Sequence, residues 1–597
     1  MDWANRPELK GLKRARARLS DFPVFYWALT VGGLSALASL LVYERRGYSG
    51  WMLLLWLVGL VGLCVALASR SRAVPRVAKA DLLAPVGLAL AFAPIYLLAL
   101  YRWPVQVSSD EAAIVDAARD QADLEGIDPF GLSNYLGRPA LGFIGWGNIA
   151  QLFGSFELHD MRLQHAAFGL LTIAASYALF RQLLPRGWAL FAAGVLGVSH
   201  AFLMISRLAM RENTSVLVEV VALALLLWGL RNDHLLATFL GGFVAGLGFY
   251  VYQPARITFP LWVVFLLLVG LVFRERFRVR RLIGLAAVAG AGFVLMAAPI
   301  LIAESKAPSF LGQDSQVETL LIYPEARALQ MRWVGAPSIS EGYETNIKRG
   351  LSVFNDKIVD NGFIYVNEGH GFADPLTGIL VWVGFGFVAI SLIRRRADEG
   401  VLLMLVGFVV LWLTYAFLVN KAPNYTRLLI TLPFVAFLVT VAVRLMATRW
   451  RSIRFAPAVL VVVFALSLAA WNLSIAWDYV QEGRALGDPI GSTGRYVDSL
   501  DERSVEKLYI ASSAGAPYHV WGDDFATMQR VRLFKPDAQA VVIDPSTVPT
   551  FRGPAPFALF MRREVWTPAA AALAEAYPQG RIRNVMPDGS RVVLEVP

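Results

Sequence analysis

Thirteen stretches of this chain are apolar over close to the 20 residues that a helix needs to cross a bilayer's hydrocarbon core, and no other feature restricts its fold as much. They lie near 24–42, 51–69, 83–101, 162–180, 187–204, 214–230, 235–251, 257–273, 282–302, 376–393, 401–419, 427–443 and 456–476. Backbone polar groups in lipid must be satisfied within the spanning segment, so runs of this kind must be helical. Composition agrees: 56% of the 597 residues are hydrophobic and 17% charged, and a mean hydropathy of +0.53 is far above that of a soluble protein. The expected fold class is a polytopic α-helical membrane protein of about thirteen transmembrane helices.

Charge supplies the orientation. The formal charge is +10, but the basic residues fall in short clusters between apolar runs, so they are a topological signal and no nucleic-acid partner is expected. With a cytoplasmic N-terminus, "SRSRAVPRVAK", "RQLLPRG", "RERFRVRR", "IRRR" and "RLMATRWRSIR" all fall inside, Arg45 and Arg46 being the one clear exception. The basic start and Ala36-Leu37-Ala38 resemble a cleaved signal peptide, but the segment is taken as a retained span. The single cysteine, Cys64, lies in an apolar run and excludes an intrachain disulfide or a cysteine metal cage.

The resulting division is 1–101, a cytoplasmic segment and three spans; 102–161, a first large extracytoplasmic loop; 162–302, central spans; 303–375, a long extracytoplasmic loop; 376–477, the last spans; and 478–597, an extracytoplasmic tail. The tail carries strand-like runs, "KLYIASS", "AQAVVID", "FALFMRR" and "RVVLEV", and the helical run "PAAAALAEAY". These predict a small α/β domain.

Ionisable groups within spans are costly, and their depth is informative. His165, His200 and Glu219 all fall toward the extracytoplasmic leaflet, with Arg162, Arg207, Arg211, Glu212, Arg256, Lys306, Lys421 and Arg427 at the same boundary. The positive-inside bias predicts few cations there, so the group suggests a held anion; taken singly, each arginine is also explained by snorkelling to lipid phosphate. A buried histidine is equally explained as a neutral ring bonding helices together.

The first loop opens with "SSDEAAIVDAARD", Ser108–Asp120. Ser108 and Glu111 suit a capping box, and acidic residues suit a helix's first turn. The same carboxylates, facing a cationic rim, suit removal of a proton from an acceptor hydroxyl while the cations hold a phosphate. The two readings are compatible.

From about 102 to 445 the chain resembles the GT-C membrane glycosyltransferases, in the branch of the protein O-mannosyltransferases and lipid A aminoarabinose transferases. The residues that carry the resemblance are Asp110-Glu111; Arg162, Gly169, Thr172 and Tyr177 in "LFGSFELHDMRLQHAAFGLLTIAASYALFRQLL"; "MISRLAMRENTSVLVEV"; "AGLGFYVYQPARITFPL"; "VNEGHGFADPLTGIL"; and "NYTRLLITLPF". The resemblance implies an inverting transferase moving a sugar from a polyprenyl phosphate to an acceptor hydroxyl at the extracytoplasmic face of the cell (inner) membrane. Asp110 is then the base and Glu111 its neighbour on acceptor or donor. Arg162, Arg256 and Arg427, with Arg207, Arg211 and Lys421 from the cation group, are candidates for the donor phosphate. His165, Glu219, Tyr252 and His370 are candidates for the substrate pocket. Implied partners are membrane lipid, the polyprenyl-phosphate sugar and a cell-envelope glycan, lipid or protein acceptor. Two spans precede the first-loop element beyond the family pattern, and no repeated sugar-binding module follows. No ligand spacing fixes a metal, so a divalent ion stays an open question.

A transporter or flippase of a lipid-linked or anionic substrate is the alternative function. It predicts inverted repeats and helices broken at mid-membrane, and the sequence contains neither pattern. A scaffold that displays its tail to partners is a third reading, distinguished by tolerance of Asp110→Asn.

Overall fold

Each apolar run closes its own backbone hydrogen bonds and becomes a helix. The computed structural model describes residues 7–71, 78–100, 103, 109–122, 128–133, 138–153, 158–306, 324–355, 370–419, 421–450, 452, 455–486, 496, 507–511, 540–585, 589 and 591–597. Helices α1 (Pro7–Arg46), α2 (Gly50–Arg70) and α3 (Lys79–Leu97) come first. Two amphipathic helices, α4 (Ser109–Ala122) and α5 (Ala140–Phe153), form the first large loop. The central bundle holds α6 (Leu158–Arg181), α7 (Arg186–Val198), α8 (His200–Ser206), α9 (Glu212–Asn232), α10 (Leu235–Leu247), α11 (Thr258–Val272) and α12 (Val279–Lys306). The long loop contributes α13 (Pro324–Val334) and α14 (Ile339–Ser352). Helices α15 (Pro375–Ile393), α16 (Glu399–Leu413), α17 (Tyr425–Leu428), α18 (Leu432–Arg449) and α19 (Ala456–Leu486) complete the membrane part.

Among the described residues, eleven helices are long and apolar enough to cross a membrane, and twelve spans result if α7 and α8 count as one. Two of the thirteen expected runs are therefore not plain spans. The run at 187–204 bends by 62° between α7 and α8, where Ser199 leaves helical geometry (φ −52°, ψ 119°). The run at 235–251 yields only the 13 residues of α10. Gly246 and Gly248 weaken that helix end, and Pro254 offers no N–H to prolong it.

Small residues set the packing distances, as they must where lipid supplies no hydrophobic drive between helices. A Cβ on Gly242 would lie 1.9 Å from Ala289 O and one on Gly292 2.1 Å from Phe239 O, so α10 and α12 pack with their backbones in contact. At the end of the bundle away from α4, ion pairs stitch helix termini together: Asp81 with Arg181 at 3.0 Å and Arg186 at 2.9 Å, Glu399 with Arg231 at 2.9 Å and Arg276 at 2.7 Å. At the α4 end, α13 and α14 fold back over the bundle. Gln330 Nε2 donates to Ala422 O at 3.1 Å, and Trp412 Nε1 donates to Gly350 O at 2.9 Å.

The tail is a five-stranded sheet, β1 (Lys507–Ala511), β2 (Ala540–Ile543), β3 (Phe557–Arg562), β4 (Arg581–Asn584) and β5 (Arg591–Val596), in the order β2-β1-β3-β5-β4. β1 pairs parallel with β2 and β3, and β5 pairs antiparallel with β3 and β4. Alternation along the strands sends Tyr509, Phe557, Leu559 and Leu594 to one face, where they form a core with Trp566 and Leu573 of helix α20 (Arg563–Ala576).

Because the α10–α12 contact is made through backbone, Gly242→Ala is expected to destabilise the protein by about 1–3 kcal/mol. Gly284→Ala, on the same α12 but with nothing within 4 Å of the new Cβ, is expected to be neutral or mildly stabilising. Denaturation of the purified variants side by side checks the pair; equal stability would remove this contact as a packing constraint.

Candidate functional site

Helix α4 begins at Ser109, which places Asp110 and Glu111 in its first turn; Ser108 and the Asp110 side chain lie outside the described residues. Glu111 is fully buried, and its two oxygens accept from Arg162 Nε at 2.7 Å and Nη2 at 2.8 Å. The Ala209 N–H donates to the same carboxylate at 2.8 Å, and Arg162 Nη1 donates to Leu100 O at 2.8 Å. A charge pair taken out of water is tolerable when geometry is bidentate and the remaining donors and acceptors find partners, and both conditions hold. Arg162, 1% exposed, faces Glu111 and Leu100 and not an open surface.

Arg207 is likewise fully buried. It donates to Ile95 O at 2.5 Å, to Leu98 O at 2.6 Å and to Trp103 O at 2.7 and 2.9 Å, with its guanidinium 4.3 Å above the Trp103 ring. Two of these acceptors are terminal carbonyls of α3, which have no partner within their helix. Both guanidinium groups are thus engaged by protein, Arg162 by Glu111 and Leu100 and Arg207 by carbonyls at the end of α3.

Two residues beyond Ala209 the chain reaches Arg211, at the start of α9, with its guanidinium 5.3 Å from the Tyr252 ring centre. The Tyr252 hydroxyl lies 3.1 Å from Thr426 Oγ1, and Arg427 follows in α17. Asn424 sets that short helix by accepting from Thr426 Oγ1 at 3.0 Å and from the Arg427 N–H at 3.1 Å. Burial, with the neighbouring charge of Glu212, pushes the Tyr252 phenol up to about 12 against the opposing pull of Arg427 and Arg211, so it is a hydroxyl at neutral pH. Arg256 pairs with Glu304 at 2.7 Å and covers Phe249. Lys421 sits in the left-handed region, φ 56°, in the turn leading to Asn424.

Of the other expected residues, His165 and His370 have their own partners, and the His165 carbonyl accepts from Asn213 Nδ2 at 2.7 Å. His165 is buried, with Nδ1 2.8 Å from Met161 O and its ring against Trp146 and Phe168. Glu219 is fully buried about two turns into α9, and neither carboxyl oxygen has a hydrogen-bond partner among the described residues. His370 contacts Asp478 of α19 at 3.2 Å and packs on Tyr479. Among the described residues no group of three or more His, Cys, Asp or Glu is placed to hold a metal ion.

The residue-by-residue reading missed Ala209, Thr426, Asp374 and Asn472. Asp374 accepts from Leu376 N and Thr377 N at 3.0 Å each as the cap of α15, and "ADPLTG" carries the signal: an aspartate just before a proline at the first helical position. Asn472 is an amide at the edge of an otherwise apolar run, a pattern that marks interhelical bonding. Nothing in a sequence marks a backbone N–H such as that of Ala209.

Residues 139–302, which contain Arg162, Arg211, Tyr252 and Arg256, match the dolichyl-phosphate-mannose-protein mannosyltransferase family. No curated protein sequence shows significant similarity to the chain. Among solved structures, ArnT from Cupriavidus metallidurans bound to undecaprenyl phosphate aligns with a TM-score of 0.52 at 15% identity, over 87% of this chain and 98% of that one. The oligosaccharyltransferase of Archaeoglobus fulgidus in its apo form aligns with a TM-score of 0.51 at 12% identity, over 83% of this chain and 71% of that one. With α4–α5 as its first large loop, a bundle that aligns over most of its length and a segment inside it that matches the mannosyltransferase family model, the chain is a membrane protein of the GT-C glycosyltransferase fold.

Proposed function

We propose that the protein is an inverting glycosyltransferase that moves a sugar from a polyprenyl phosphate to an acceptor hydroxyl at the extracytoplasmic face of the cell membrane. The observation that carries this reading is the tether from Glu111 to Ala209, two residues from the Arg211 that lies over Tyr252. It puts the first turn of α4, with Asp110, at the same end of the bundle as the cation group. The arginines of the ion-paired opposite end mark the cytoplasmic side, which leaves the N-terminus inside and the α/β domain outside. The division proposed from the sequence follows from that orientation.

Asp110 is the base. Its carboxylate takes the proton of the acceptor hydroxyl as that oxygen attacks the anomeric carbon, and the bond from that carbon to the phosphate oxygen breaks with inversion. The lipid phosphate leaves with the bonding pair; its second pKa near 6 makes it a competent leaving group without a separate acid, unlike the alkoxide released in glycoside hydrolysis. Arg211, Arg256, Lys421 and Arg427 stabilise the charge gathered on the phosphate, and the Tyr252 hydroxyl is a neutral donor beside them. Glu111, Arg162 and Arg207 position this machinery. The acceptor is a hydroxyl of a cell-envelope glycan, lipid or protein, and the tail domain positions it. His165, Glu219 and His370 are further candidates for the substrate pocket. The donor's hydrocarbon chain lies in the membrane beside the bundle.

The two adjacent carboxylates are expected to separate cleanly. Asp110→Asn should abolish transfer to the acceptor while leaving the unfolding transition in place. Glu111→Ala should cost about 3–5 kcal/mol of stability, because it strands the buried Arg162 charge. Activity that survives Asp110→Asn would exclude this base. Arg427→Ala and Arg256→Ala should each weaken binding of polyprenyl phosphate by about 1–3 kcal/mol, the scale of a lost charged hydrogen bond; titration of the purified variants with the lipid decides this, and unchanged affinity in both would remove them from the site.

A further inference from the structure

The helix that carries the tail domain is joined to the catalytic loop by a short stretch of backbone. Asn472, on α19, accepts the backbone N–H of His200 at 3.0 Å and faces His200 Nδ1 at 2.8 Å through its Oδ1. Its Nδ2 donates to Asp374 Oδ2 at 2.7 Å and to Leu468 O at 2.9 Å. The amide orientation is fixed by these contacts: one end meets a backbone donor, the other a carboxylate and a carbonyl. The other ring nitrogen of His200 faces Gly371 O at 3.1 Å. A single amide thus gathers α19, the cap of α15 and the first residue of α8.

From that joint the chain runs through a buried segment to the first turn of α4. Every residue of α8 is buried. Arg207 then anchors the segment to the end of α3 through the carbonyls of Ile95, Leu98 and Trp103. Two residues later Ala209 N–H holds Glu111. The path from His200 to Ala209 is nine residues, roughly 13 Å at helical rise. Dense packing transmits displacement over such a distance because a buried, bonded segment has no room to absorb it.

We propose that residues 199–209 act as a strut between α19 and the first turn of α4, and that Asn472 is a positioning residue for glycosyl transfer. Through this strut a displacement of α19 is felt at the first turn of α4. The inference rests on the reading of Asp110 as the base of the transfer. Its immediate consequence is that loosening the joint misplaces the base relative to the acceptor hydroxyl while the lipid phosphate site around Tyr252 and Arg427 stays as it is.

The test uses the full-length protein in detergent or nanodiscs, with undecaprenyl-phosphate sugars as the probe donors. Asn472→Ala is expected to lower kcat about tenfold or more with the donor KM within about twofold, since a small misplacement of a reacting group is costly to rate. Amide hydrogen exchange of residues 109–122 is expected to rise in the same variant, with exchange in the tail sheet unchanged. His200→Gln, which keeps the backbone N–H to Asn472, should show the same pattern at smaller amplitude and supplies the comparison where Asn472→Ala gives little folded protein. Unaltered exchange at 109–122, an unaltered kcat, or a rise in exchange spread over the whole chain would each overturn the strut. A wild-type protein that turns over no polyprenyl-phosphate sugar would overturn the transferase reading instead, and the exchange comparison would still decide whether the strut exists.

Discussion

A carboxylate and a guanidinium buried together are the interaction on which the site end of this molecule depends. Removing either charge from water alone would cost several kcal/mol, and only tight mutual geometry offsets the cost for both. Glu111 and Arg162 meet at 2.7 Å through two parallel bonds, with Ala209 and Leu100 supplying further contacts. Four separate stretches of chain, α4, α6, the end of α3 and the turn before α9, are thereby held in one register.

The contrast between the two ends of the bundle follows from what each set of arginines can reach. At the end away from α4, Arg181, Arg186, Arg231 and Arg276 pair with acidic groups at helix termini, and most remain partly exposed. The arginine ends of these pairs are open to water, which weakens each of them, although Glu399 itself is buried. At the α4 end the cations divide into two kinds. Arg162 and Arg207 are sealed inside against protein partners, whereas Arg211 and Arg427 lie by Tyr252 and the short helix α17, and Arg256 pairs with Glu304. In our reading a lipid phosphate needs the second kind, and the first kind keeps the second in place.

The membrane part was legible because lipid enforces its rule on every residue of a span. Runs such as 51–69 and 456–476 lie within α2 and α19, and four strand-like runs of the tail became β1, β2, β3 and β5. What escaped was local or non-local in ways that hydropathy does not register. The break at Ser199 changes a single backbone dihedral inside an apolar run. β4, "RIRN", is exposed at every residue and so lacks the alternation that betrays a strand. At the site, the cation group was visible as an excess of charge at one depth, but its division was not. Arg162 meets Glu111 across 51 residues of sequence and Arg207 meets carbonyls more than 100 residues away, and no periodicity encodes such pairings. Asn472 could have been singled out as an amide in an apolar run, yet its three partners could not.

The two spans that precede the family-like part acquire a purpose from the same logic. Gly32 and Gly62 bring α1 and α2 so close that a Cβ on either would meet the other's backbone at 2.7 Å. The hairpin then reaches two places. Trp56 Nε1 donates to Leu295 O on α12 at 2.9 Å, and Tyr43 OH donates to Asp128 Oδ2 in the first large loop at 2.6 Å. Phe130, two residues on, packs its ring against Tyr43, Trp56 and Tyr250. A loop of this length would ordinarily lose its order to conformational entropy. The hairpin fixes it beyond α4, as Glu111 fixes it within α4, so the added spans extend to the far side of the loop the restraint that the buried ion pair imposes on its near side.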